Sequence, residues 1–98
     1  MPTYERTTRF RRDLDNLAAD VRGRFKACIN DEFIPAMRRG VPWPPGLRIK
    51  GVRGYRGVYE MTFAPDGRAT FMFGEQIHPG ELHIVWRRVG SHEIFSDP

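Results

Sequence analysis

The chain has 98 residues, a net charge of +4, and a hydrophobic fraction of 40% that includes two Trp, three Tyr and seven Phe. A chain of this length supports one domain, 1–98, burying about 60 to 65% of its unfolded surface, and excludes a second functional domain. No stretch approaches the roughly 18 apolar residues of a membrane span, and the start, "MPTYERTTRF", has no apolar targeting core, so a soluble, cytoplasmic protein with no membrane partner is expected.

In chain order, "TYERT" reads as a short first strand. Phe10, Leu14, Leu17 and Val21, then Phe25, Cys28 or Ile29, and Phe33 recur at three- and four-residue spacing, the period of helices with one apolar stripe. Asp20 suits a cap, so a helical hairpin over roughly 8–19 and 20–34 is expected, with Pro35 kinking or ending the second helix at Ile34. Cys28, the single cysteine, excludes an internal disulfide and fits a reducing compartment; among Phe25, Ile29 and Phe33 it reads as a buried hydrophobe. "VPWPPG" then reads as an extended connector.

Beyond it the period changes to two, which predicts strands at "LRIKGV", "VYEMTFA", "RATFMFG" and "ELHIVWRRV". The middle pair is joined by "PDG", with Pro65 presetting a tight turn and Gly67 expected at positive φ. Alternation puts Leu47, Ile49, Tyr59, Met61, Phe63, Ala69, Phe71, Phe73, Leu82, Ile84 and Trp86 on the face that the helices cover. Arg48, Lys50, Arg56, Glu60, Thr62, Arg68, Thr70, Met72, His83 and Arg87 fall on the other, expected to be open. Between Phe33 and Tyr59 there are six basic residues and no acid, so the charge gathers into a positive field suited to a nucleic-acid backbone.

Three stretches, "GLRIKGVRGYRG", "PDGRATF" and "VGSHEIF", in the order strand, two helices, Pro-rich connector and meander, resemble the RelE/ParE superfamily of bacterial toxins, in particular its YafQ and HigB branch. The resemblance implies an α+β fold, with an N-terminal strand and two-helix hairpin on one face of a twisted, mainly antiparallel sheet of four to five strands. It implies the toxin of a type II toxin-antitoxin module, a ribosome-dependent, metal-independent messenger RNA endoribonuclease that needs no cofactor. Its implied partners are the ribosome and messenger RNA, a cognate antitoxin that is a small helix-turn-helix protein, and operator DNA only through that antitoxin.

Metal-free RNA cleavage turns the 2′-hydroxyl on the adjacent phosphate, so a proton must be removed, charge stabilised, and the departing 5′-oxygen protonated. A histidine can move a proton near neutral pH, and an arginine fork holds phosphate oxygens while staying charged. The resemblance assigns His92 as general acid or base, and Arg56, after Gly-Tyr, and Arg68, after the turn, as ligands of the scissile phosphate. Arg48, Lys50, Arg53 and Arg87 are assigned to the RNA backbone, Phe95 to stacking on a base, and Asp66 to an auxiliary place; His83 matches no catalytic position of the family and is an auxiliary candidate by its strand parity with the basic face alone. Asp66 occupies the position of the branch's Pro-Asp carboxylate, whereas Thr62 stands where relatives carry a histidine. Three scattered histidines and one cysteine make no zinc site. Two other readings belong to different classes: a non-enzymatic ParE-like inhibitor of DNA gyrase, and a degenerate toxin that acts only with its antitoxin in operon repression.

Overall fold

The computed structural model describes residues 2–98. Strand β1 (Thr3–Arg6) leads into helix α1 (Thr8–Asn16), followed by α2 (Ala19–Cys28), a π-helical turn (Ile29–Phe33) and α3 (Ile34–Arg39). Strands β2 (Lys50–Gly51), β3 (Tyr59–Ala64), β4 (Gly67–Phe73) and β5 (His83–Gly90) follow, then a 3-10 turn (His92–Ser96). The strands lie in the order β1-β5-β4-β3-β2; β1 runs parallel to β5 and every other pair is antiparallel. The α+β architecture expected from the sequence is the one observed, with helices on one face of the sheet.

The helix boundaries differ from expectation for local reasons. The Thr7 hydroxyl accepts the Phe10 amide and starts α1, which ends at Asn16 rather than at residue 19. Arg22 then donates to the carbonyls of Leu14, Asp15 and Leu17, satisfying helix-end acceptors. Ala18, not Asp20, is the cap of α2; Asp20 lies in the first turn, where a carboxylate suits the positive end of the helix dipole. Pro35 does not end the helix. The preceding turn widens to π spacing, with the Ile34 amide bonded to the Ile29 carbonyl, which relieves the clash a proline ring makes with the carbonyl four residues back. Helix α3 runs on to Gly40, whose φ of 80° closes it.

The core is aromatic. The Trp86 ring lies 5.0 Å from Phe33, 5.4 Å from Phe71, 5.6 Å from Phe25 and 5.7 Å from Phe10, so one indole on β5 meets rings from α1, α2, the π-helical turn and β4. A bulge in β5 lets both Trp86 and Val89 reach this core: Phe71 faces Trp86 and Thr70 faces Arg88, leaving Arg87 unopposed.

Three sheet expectations need correction. "LRIKGV" contributes only Lys50–Gly51, because a 3-10 turn over Pro45–Leu47 and Arg48 at φ 50° break the strand, although Leu47 still packs in the core. Gly67 is not at positive φ. A Cβ there would stand 2.6 Å from the Phe63 ring and 2.9 Å from the Ala64 Cβ, so this glycine is required by space. The face opposite the helices is not fully open either: the C-terminal 3-10 turn contacts β4 and β5, Arg87 is bonded to the Pro98 carbonyl, and Thr70 is fully buried.

Candidate active site at the β3–β4 turn

The two-residue turn Pro65–Asp66 and the end of β5 stand side by side, since Arg68 of β4 pairs with Thr62 of β3 and with Gly90 of β5. Ser91 caps the 3-10 turn through the Glu93 amide and sends His92 back toward the hairpin. There Nδ1 of His92 lies 3.1 Å from Oδ1 of Asp66. That hydrogen bond, first, a second from the His92 backbone, and the charge of Arg68 hold the Asp66 carboxyl below the usual carboxylate range. An ionised carboxylate only accepts, so Nδ1 carries the proton and Nε2 is left to exchange one with a ligand.

Arg68 curls around the same turn, its Nη1 donating to the carbonyls of Ala64, Pro65 and Gly67, with Nε and Nη2 left for an outside acceptor. It lines an open depression with Cys28, Glu32, Arg48, Thr62 and Pro65. Arg48 and Arg68 therefore face one hollow, and His92 with Asp66 stands at its turn. Glu32, which no motif or spacing singles out, places an acid beside these cations.

The remaining residues are elsewhere. Arg56 sits in the β2–β3 loop, at the opposite end of β3 from Asp66, and the strand's six residues span about 17 Å at roughly 3.4 Å per residue. It is not brought beside His92. Arg53 shares that loop, and Lys50 lies 3.9 Å from Glu60. Arg87 donates through Nε and Nη2 to the Pro98 carbonyl and through Nη1 toward the Met72 sulfur, so its fork is held within the chain. His83 is buried, not on an open face: β1 covers it, with Thr3 Oγ1 2.7 Å from Nδ1 and Glu5 3.4 Å from Nε2. Phe95 is half-buried in the C-terminal turn. Among the described residues no three His, Cys, Asp or Glu side chains gather as a metal site requires, and no helix is long and apolar enough to cross a membrane.

No protein-family model and no curated protein sequence matches the chain. Solved structures do. YafQ from E. coli is similar over 95% of this chain and 96% of its own, at 13% identity and a TM-score of 0.65. A copper-bound mutant toxin from Helicobacter pylori shares 18% identity over 95% of this chain and 97% of its own, with a TM-score of 0.65. The fold is that of the RelE-type toxins. A chain of the toxin-antitoxin complex RelBE2 from Mycobacterium tuberculosis has the same RelE-type fold, at 22% identity and a TM-score of 0.59 over 94% of this chain and 100% of that one. In the RelE-type frame of this chain, His92, Asp66, Arg68 and Arg48 share one end of the sheet, and Arg53 and Arg56 the other.

Proposed function

We propose that the chain is the toxin of a type II toxin-antitoxin module and cuts messenger RNA on the ribosome without a metal. The observation that carries this reading is the His92–Asp66 pair with Arg68 at the same turn, Arg68 in turn sharing a depression with Arg48, on a RelE-type fold. In the proposed reaction the 2′-oxygen bonds to phosphorus as the bond from phosphorus to the 5′-oxygen breaks. The 2′-hydroxyl gives up a proton and the departing oxygen takes one; Nε2 of His92 serves one of these transfers while Asp66 fixes the ring. Arg68 and Arg48 neutralise the charge that builds on the phosphate. Arg56, in the β2–β3 loop at the other end of β3, is given no part in this step.

A cationic nuclease site is unsafe uncovered, so a cognate antitoxin with an acidic or amphipathic segment is part of the proposal; E. coli YafQ has been crystallised in a complex with DinJ. The test is cell-free bacterial translation programmed with wild type or His92→Ala, with messenger RNA ends mapped by primer extension. Cuts within codons that need translating ribosomes and are lost in His92→Ala are expected. Intact messenger RNA with wild type would overturn the nuclease, and a gyrase supercoiling assay on the same protein would then test the ParE-like alternative.

A further inference from the structure

The β2–β3 loop, residues 52–58, is a built feature that the proposed reaction does not use. Val52 and Val58, both buried, anchor its two ends, and the Val52 amide bonds the Val58 carbonyl. Inside that closure the Tyr55 amide bonds the Val52 carbonyl and the Val58 amide the Tyr55 carbonyl, while Gly54 and Gly57 take φ of 85° and 79°. The loop is thus two successive tight turns, and they hold Arg53, Tyr55 and Arg56 outward. Tyr55 is 42% exposed although the two valines already supply the packing.

The loop's arginines contrast with those that are tied down within the chain. Arg22, Arg68, Arg87 and Arg88 are bonded to main-chain carbonyls, and Arg9 and Arg88 to carboxylates. Arg53 and Arg56 have no hydrogen-bond or ion-pair partner among the described residues, and no acid lies between Leu47 and Val58. An exposed aromatic ring flanked by two unpaired guanidinium groups on a rigid loop matches the chemistry of an unpaired nucleotide, whose base stacks on a ring while neighbouring phosphates take the cations. We propose that this loop is a second RNA-binding site, in which Tyr55 stacks on an unpaired base and Arg53 and Arg56 hold the flanking phosphates. It rests on RNA being the substrate class and deepens that reading: RNA is gripped at one end of β3 and cut at the other.

The test uses the purified chain and a fluorescent single-stranded RNA 12-mer, with binding followed by anisotropy across a salt series and folding checked by circular dichroism. Tyr55→Ala should weaken binding about 5- to 150-fold, the range of base-aromatic stacking, while Tyr55→Phe should bind as wild type. Arg53→Ala with Arg56→Ala should reduce the log-log salt slope by about 1.4, at roughly 0.7 per phosphate on a single strand. Wild-type affinity in Tyr55→Ala, equal weakening in Tyr55→Phe, or equal competition by duplex DNA would each overturn the stacking site. The two readouts separate the two proposals: cutting on the ribosome with His92→Ala reports on the nuclease, and 12-mer binding with the loop variants reports on the loop. Loop variants without effect beside intact cutting overturn the loop alone; absence of cutting by wild type, with the loop variants weakened as expected, overturns only the nuclease.

Discussion

Nδ1 of His92 and Oδ1 of Asp66, 26 positions apart in the chain, stand 3.1 Å apart across the β3–β4 turn and the end of β5. The Asp66 carboxyl is held below its ordinary 3.8, chiefly by this bond. A depressed carboxylate contributes stability above that value and loses it as pH falls through the folded pKa, so the contribution disappears in the window below pH 3.8. Carbon-13 NMR of the Asp66 carboxyl should give a midpoint under 3.8 that climbs back toward it in His92→Ala. A wild-type midpoint at or above the ordinary value would mean that the pair does not form in solution. In the cleavage assay, His92→Ala should cost about 10²- to 10⁴-fold in rate, the usual worth of a general acid or base.

Asp13 on α1 accepts from Nε of Arg88 at 2.6 Å, from its Nη2 at 3.3 Å and from the Val89 amide at 3.2 Å, tying the helix to the bulged end of β5. Both side chains are mostly buried, at 15% and 17% exposure, so Asp13→Ala removes the carboxylate from the Arg88 charge, leaving it the Asp97 carbonyl alone, and leaves the Val89 amide without this acceptor. Urea unfolding should show a loss of about 2–4 kcal/mol.

Thr70 is fully buried and its hydroxyl has no hydrogen-bond partner among the described residues. Thr70→Val keeps the β-branched shape and removes the unsatisfied polar atom. It should raise stability by about 0.5–1.5 kcal/mol, read as a melting temperature higher by roughly 4–8 °C per kcal/mol. A lower melting temperature would show that the hydroxyl has a partner after all.

Gly67→Ala drives a Cβ into the Phe63 ring and the Ala64 side chain and should cost about 1–3 kcal/mol. At Gly46 an added Cβ meets nothing and φ is not positive, so Gly46→Ala is the control and should stay within about 0.5 kcal/mol of wild type. Equal effects at the two positions would refute close packing as the reason for Gly67.

The Cys28 thiol is pushed up to about 11, first by burial and then by Glu32. Native protein should resist labelling by a thiol reagent at pH 8, and urea should release rapid reaction. Fast labelling without denaturant would mean that the α2 end opens readily.

The elements whose signal is periodic are legible in the order of the amino acids. Phe10, Phe25 and Phe33 at helical spacing and Met61, Ala69, Phe71, Ile84 and Trp86 at strand spacing are buried where expected, because side-chain direction repeats with backbone period. Local chemistry also marked the β3–β4 hairpin at Pro65–Asp66, though for Gly67 the reason was a neighbouring ring that no local rule contains. The rest follows from how the folded elements meet. The tertiary structure carried the helix past Pro35 through a π-helical turn, buried Thr70, buried His83 under β1, and tied Arg87 to Pro98. It also set His92 on Asp66 and put Arg56 at the other end of β3. A pattern of alternating residues states which face a side chain points to, but what covers that face, and which charges meet across it, depends on contacts between residues far apart in the chain.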